Sequence, residues 1–338
     1  MAIDMHAHYL PQALAEHLRL RRVAPRIETL PDGTERLHLP IGILSFSAAY
    51  VDMPARIAFL DQVGVQRQLL SLGGLLGIHS LPLAEAAPLT RAFNDDLGGL
   101  CRRYPDRFLG LAALPLADSA AAVSEFRRAR RELGLIGAIL PVNAFVTVAE
   151  AEKLGPVFAA ANELGGHVFV HPGRRPDEVP NTPGVAQRLV PRDNDLARRA
   201  LDVQTKLADA MITLLFSDFL DAYPNVSVQV ANLGGTLPAV VERMDNVAKL
   251  RAPGEVLPSS RLRRVHVDCA SLGPRAIELA AAFYGADRIV MGSDCPIFRA
   301  DWTLAAIHEA RLTDNERSMV LTGNAAALLD RLEVHSGK

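Results

Sequence analysis

The stretch Ala2-Ile3-Asp4-Met5-His6-Ala7-His8 near the N-terminus decides the fold. It is a short apolar run that ends in His-x-His, and its composition is that of a buried strand. Side chains alternate along a strand, so His6 and His8 point the same way. Two imidazoles aimed at one point supply half of a Zn²⁺-type ligand set. Two unrelated polar residues at a strand end would read the same in isolation. The rest of the chain decides between the two.

Working outward, 11–22 reads as a helix, and 26–43 as a β-hairpin around the Pro31-Asp32-Gly33 turn, inserted in the first crossover at about 24–45. Pro54 opens a helix to Val63, and further strands are expected at 65–72, 108–114, 136–140, 168–171, 226–230, 265–268 and 288–291. Asp118 reads as the N-cap of a helix that Gly134 ends. Helices are expected over 148–164, 197–222, 235–250, 273–284 and 301–331, with a Pro-rich, charged segment at 172–198. Eight short strands, each followed by helix, predict an α/β fold, a (β/α)8 TIM barrel with the small hairpin insertion after the first strand. An open doubly wound sheet is the competitor, but no Gly-rich phosphate loop follows the first strand. No repeat or linker divides residues 1–338, so one domain is expected.

The bulk properties narrow the function. With 338 residues, 49% hydrophobic and a formal net charge of −2, the chain makes no electrostatic case for nucleic acid or an anionic membrane. The cysteines, Cys101, Cys269 and Cys295, fit a reduced cytoplasm better than a disulfide framework. No signal-like or bilayer-spanning run is present, and a cytoplasmic location is expected.

Barrel active sites lie at the C-terminal ends of the strands. Strand one delivers His6 and His8 there, strand five His171, strand six Asn232, strand seven Asp268 and strand eight Asp294. Three imidazoles and a carboxylate at one mouth define a catalytic metal site with room for water or substrate. Among the other histidines, His167 starts strand five and is expected at the opposite end; His266 is either core or close beneath the site. His79, on the loop after strand two, and His38, in the hairpin, are candidate substrate contacts. Arg174 and Arg175, just beyond His171, and Arg299, beyond Asp294, are candidate anchors for a substrate carboxylate. Cys269 and Cys295 read as small buried residues before they read as nucleophiles.

Taken together, His-x-His after strand one, His171-Pro172 and Gly292-Ser293-Asp294-x-Pro296 resemble the amidohydrolase superfamily. The branch resembled is the amidohydrolase-related group typified by aminocarboxymuconate-semialdehyde decarboxylase. Phe59-Leu-Asp-Gln-Val-Gly-Val, Tyr104-Pro-Asp-Arg-Phe, Leu233-Gly-Gly-Thr-Leu-Pro and Gly285-Ala-Asp-Arg support it from end to end. The resemblance implies that His6, His8, His171 and Asp294 bind one divalent ion, most often Zn²⁺, with no organic cofactor. Mn²⁺, Fe²⁺ or Co²⁺ would suit the same donors. Two-metal relatives use a carboxylated Lys after strand four; here that strand ends Leu140-Pro141-Val142-Asn143. The branch also carries His where this chain has Asn232, and an amide orients a water or holds an oxyanion but moves no proton near neutral pH.

The expected activity is non-oxidative decarboxylation of a small unsaturated or aromatic carboxylic acid, with Asp294 as ligand and proton relay and Asn232 orienting water or substrate. The alternatives are a metal-dependent hydrolase of a lactone, amide or C–C bond, a hydratase, and a non-catalytic metabolite-binding barrel. The resemblance also implies a homodimer, with Ile297-Phe298 and Trp302 as the apolar hint.

Overall fold

The computed structural model describes residues 1–40, 42–178 and 191–336. Its strands are β1 (Ala2–His8), β2 (Arg26–Thr29), β3 (Glu35–Leu39), β4 (Gly42–Phe46), β5 (Val65–Ser71), β6 (Phe108–Ala112), β7 (Gly137–Pro141), β8 (His167–His171), β9 (Ser227–Val230), β10 (His266–Asp268) and β11 (Ile289–Val290). The helices are α1 (Gln12–Arg19), α2 (Met53–Val63), α3 (Leu83–Arg103), α4 (Ser119–Arg131), α5 (Val148–Glu152), α6 (Gly155–Leu164), α7 (Asp195–Phe216), α8 (Leu237–Arg251), α9 (Pro274–Tyr284), α10 (Ala300–Glu309), α11 (Asp314–Ser318) and α12 (Asn324–Ser336).

Eight strands pair in parallel in the order β1-β5-β6-β7-β8-β9-β10-β11. The ring closes where the chain after β11 returns to β1: Met5 N–H donates to Met291 O at 2.8 Å, His8 N–H to Cys295 O at 2.7 Å, and Asp294 N–H to His6 O at 2.7 Å. This is the expected (β/α)8 barrel. Parallel strands covered by helices are buried on both faces, which is why β8 reads His-Val-Phe-Val-His without an exposed residue. Along β1, Met5 and Ala7 pack in the apolar core, while Asp4, His6 and His8 form polar contacts inside the barrel. Asp118 caps α4 by accepting from Ala121 N–H at 2.8 Å, and Gly134 follows the helix at φ 72°.

Three local expectations need revision. The insertion is a three-stranded antiparallel sheet, β2-β3-β4, in which 42–46 adds a third strand to the expected two-stranded hairpin. The helix expected over 148–164 breaks into α5 and α6, because Pro156 lacks the N–H a continuous helix needs and sits instead in the first turn of α6. The helix expected over 301–331 is interrupted after α10, and Thr313 starts α11 with a reciprocal capping box to Glu316. The Pro-rich, charged segment at 172–198 lies partly outside the described residues.

Candidate metal centre

Four side chains from three strand ends meet inside the mouth. One ligand atom from each of His6, His8, His171 and Asp294 lies within 4.8 Å of all the others. That span is close to twice a metal–ligand bond of about 2.0–2.2 Å. Asp294 Oδ1 is 2.9 Å from His8 Nε2 and 3.5 Å from His6 Nε2, and the Nε2 atoms of His8 and His171 are 3.1 Å apart. The rings stand nearly perpendicular, at 80–85° to one another.

Each imidazole is tied at its other nitrogen. His6 Nδ1 is 3.0 Å from Asp268 Oδ1, His171 Nδ1 3.0 Å from Pro172 O, and His8 Nδ1 3.4 Å from Ser71 O. Those acceptors place the ring protons on Nδ1, leaving the three Nε2 lone pairs facing inward. Lone pairs at 3.1 Å repel unless a cation lies between them. His6 Nε2 and Asp294 Oδ1 are buried and have no hydrogen-bond partner among the described residues. The donor set therefore fits one divalent ion.

The electrostatics agree. Burial opposes a charge on His6, but Asp268 and Asp294 outweigh it and raise its pKa to about 10. The pocket calls for positive charge at this point. Burial would raise the Asp294 carboxyl, yet His6 and His8 beside it hold it well below the usual carboxylate range. Burial, with His8 and His6 adding to it, keeps His171 neutral.

Beneath the ligands, Asp268 is a buried acceptor for four donors: His6 Nδ1, Gln229 Nε2 at 2.8 Å, Ala270 N–H at 3.1 Å and Asn232 N–H at 3.2 Å. Asn232 follows β9 in the left-handed region at φ 52°, as Asp294 does at φ 59°. Each such non-glycine residue costs on the order of 1–3 kcal/mol, a strain that collects at functional sites. The Asn232 Oδ1 is buried and unpartnered among the described residues. Two glycines make the close approach possible. A Cβ on Gly292 would stand 2.8 Å from the Cβ atoms of both His6 and Asp268, and one on Gly74 would meet Pro172 O at 2.1 Å.

The other expected contacts fall outside the four-ligand cluster. His79 is buried, hydrogen-bonds the Arg174 backbone and lies beside Gly173, and burial lowers its pKa to about 4. The Arg174 carbonyl also accepts from Ser80 Oγ, whereas its guanidinium has no hydrogen-bond or ion-pair partner among the described residues. Arg175 is held by Asp177 at 3.0 Å and Asn143 O at 3.2 Å, and Arg299 by Asp301 at 2.8 Å over the Phe59 ring. His38 pairs with Glu28 across the insertion at 2.6 Å. Burial raises the Cys269 thiol to about 12, and Cys295 likewise upward, so both behave as buried small residues.

Sequence reasoning assigned no supporting role to Asp4, Gln68, Ser71, Gln229 or Arg56, whose guanidinium donates to His8 O at 2.7 Å. For Asp4 and Gln229 a signal existed: each is a polar residue flanked on both sides by apolar ones within a strand. Asp268 was legible as a strand-end carboxylate but not as the partner of His6.

Three histidines outside the ligand set are buried and neutral: His79 and His266 with pKa about 4, and His167 with pKa about 3, burial being the main cause in each. The unfolded chain binds protons at about pH 6.5, where these folded rings do not. Their contribution is intact above pH 6.5 and lost as pH falls toward 4. By pH 5 this amounts to on the order of 2 kcal/mol per ring. Urea unfolding of metal-free protein should show the decline between pH 7 and pH 5, and a flat profile would contradict the assignment.

Barrel and ligand set together define a (β/α)8 scaffold with a metal-binding cluster at its mouth. The chain belongs to the amidohydrolase family: the profile described as "Amidohydrolase" matches residues 3–331. It is 23% identical to the 2-amino-3-carboxymuconate-6-semialdehyde decarboxylase of Dictyostelium discoideum, over 82% of this chain and 76% of that one. It is 25% identical to the gamma-resorcylate decarboxylase of Rhizobium radiobacter, over 81% and 85%. The 5-carboxyvanillate decarboxylase of Novosphingobium aromaticivorans, solved with manganese and 4-hydroxy-3-methoxy-5-nitrobenzoic acid, superposes with TM-score 0.73 at 20% identity, covering 98% of this chain and 96% of that one.

Proposed function

We propose that the chain is a metal-dependent decarboxylase that removes CO₂ from a small aromatic or unsaturated carboxylic acid. The observation that carries the reading is the set of three Nε2 lone pairs and one carboxylate converging at a barrel mouth, in a chain related to enzymes named as decarboxylases. The ion is Zn²⁺ or Mn²⁺, held by His6, His8, His171 and Asp294. When bound it supplies a positive charge that stabilises electron density building up on the substrate.

The chain's own residues do the rest. Arg174, with its guanidinium unengaged among the described residues, is assigned to a substrate anion. Arg175 and Arg299 would first have to leave Asp177 and Asp301. In the reaction the C–C bond to the carboxyl group breaks, its electron pair stays on the ring or alkene carbon, and a proton is added there as CO₂ departs. Asp294, held ionised by His6 and His8, would take that proton from water or from an acidic hydrogen of the substrate and pass it to the carbon from a carboxylate oxygen, as a relay and not as a stored acid. Asn232 Oδ1 accepts a hydrogen bond from a substrate hydroxyl, amine or water, and holds it in place without transferring a proton. A cytoplasmic homodimer belongs to the same reading, supported by the sparse cysteines and by exposed Trp302 beside Ile297 and Phe298. Among the described residues, no helix is long and apolar enough to cross a membrane.

The test is CO₂ release from hydroxybenzoic and unsaturated acids by metal-loaded protein, with a chelated control. No release from any of them would contradict the proposal. Asn232 favours one second reading, hydrolysis of a lactone, amide or C–C bond, because attack by a water activated at the ion needs no proton-shuttling residue after β9. Solvent ¹⁸O appearing in an acyl product would favour that reading.

A further inference from the structure

The four ligands come from three separate strand ends, and something must hold those ends in register. Asp4, two residues before His6, is wholly buried and belongs to no part of the ligand set. Its Oδ1 accepts from His6 N–H at 3.1 Å and Ser293 N–H at 2.9 Å. Its Oδ2 accepts from Gln68 Nε2 at 2.8 Å and Ser293 Oγ at 2.5 Å. Ser293 Oγ in turn accepts from Cys295 N–H at 3.1 Å. One carboxylate thus grips the backbone of a first-strand ligand and the residue immediately before Asp294. It does so at the seam where the barrel closes.

We propose that Asp4 is a positioning residue of the metal centre: its carboxylate stitches the segment bearing His6 and His8 to the turn bearing Asp294, and so sets how tightly the four ligands hold an ion. The inference rests on the metal-centre reading above. All four partners approach as donors. An Asp4→Asn change keeps the shape but turns one acceptor into a donor, which faces either the two backbone N–H groups or the Gln68 amide. The backbone groups cannot change role, but the serine hydroxyl can rotate and the Gln68 amide can flip to present Oε1, which has no partner among the described residues. Asp4→Asn is therefore the conservative change, whereas Asp4→Ala leaves every one of these donors without its acceptor and frees the turn at 292–295, and Asp294 with it.

The test is binding of Zn²⁺ alone, by competition with a chromophoric chelator, beside the visible spectrum of Co²⁺-loaded protein. Asp4→Ala should weaken Zn²⁺ binding about tenfold or more and alter the Co²⁺ bands. Asp4→Asn, which keeps the oxygen for the two backbone N–H groups and meets a flipped Gln68 amide, should retain most of the affinity and the parental spectrum. Ser293→Ala, which removes the hydroxyl's bond to Asp4 and its acceptance from Cys295 N–H but leaves the Ser293 N–H on Asp4, should weaken binding by a smaller factor, about threefold. Asp4→Ala binding as the parent does, with an unchanged spectrum, overturns the proposal, and so does an Asp4→Asn variant that binds as weakly as Asp4→Ala. If Asp4→Ala does not fold, Ser293→Ala decides: parental affinity overturns the proposal and weakened binding supports it. Failure of the parent itself to take up Zn²⁺ or Co²⁺ would refute the metal-centre reading, which keeps the two failures apart.

Discussion

An Asp294→Asn variant is expected to release CO₂ with kcat/KM lowered by about 10²–10⁴-fold, the range spanned by loss of a positioned proton-transfer group. The substitution preserves volume and removes the charge. Asp294 Oδ1 lies 2.9 Å from His8 Nε2 and 3.5 Å from His6 Nε2, and in the proposed function its negative charge would serve ion binding and proton relay together. No other carboxylate shares the ligand cluster among the described residues. Asn232 offers no substitute, being an amide. Steady-state kinetics at saturating metal separates the two roles: a variant that refills with ion yet stays slow has lost the proton step. Activity within a fewfold of the parent would remove Asp294 from the chemistry.

Asp268→Ala is the second large effect. The carboxylate accepts four hydrogen bonds in a fully buried position, one of them from the Nδ1 of His6. Its loss leaves His6 free to rotate or change tautomer, and removes the stronger of the two carboxylates that raise its pKa to about 10. Metal affinity is expected to fall about 10–100-fold, as it does when outer partners of ligating histidines are removed. Stability should fall by about 1–3 kcal/mol or more, because buried donors lose their acceptor. Equilibrium dialysis and urea unfolding of the metal-free protein measure the two separately. Unchanged affinity in a folded variant would show that His6 needs no such partner.

How far the sequence discloses this arrangement depends on the range of the interactions. The strand period alone places His6 and His8 on one face, and the rule that barrel sites sit at C-terminal strand ends gathers His171 and Asp294 with them. What escapes is non-local. His6 and Asp268 are 262 positions apart and meet because β10 lies close to β1 once the ring closes. Asp4 finds Ser293 across 289 positions for the same reason. No local pattern encodes either pairing. The left-handed backbone of Asn232 and Asp294 escapes as well, since neither stands in a glycine-like context that would announce it. The third strand of the insertion, β4, was missed because Ile43 and Leu44 are exposed and show no alternation against a core. The paired state of Arg175 and Arg299 follows from Asp177 and Asp301, each two residues on, and was within reach of the sequence.

The most direct test of the whole account is the metal content of protein purified without chelator, measured beside a His171→Ala variant. The account predicts about one equivalent of divalent ion per chain in the parent, as a single closed ligand set requires, and its loss in the variant. A parent that binds no ion even after reconstitution, or a variant that retains the parental content, would contradict it.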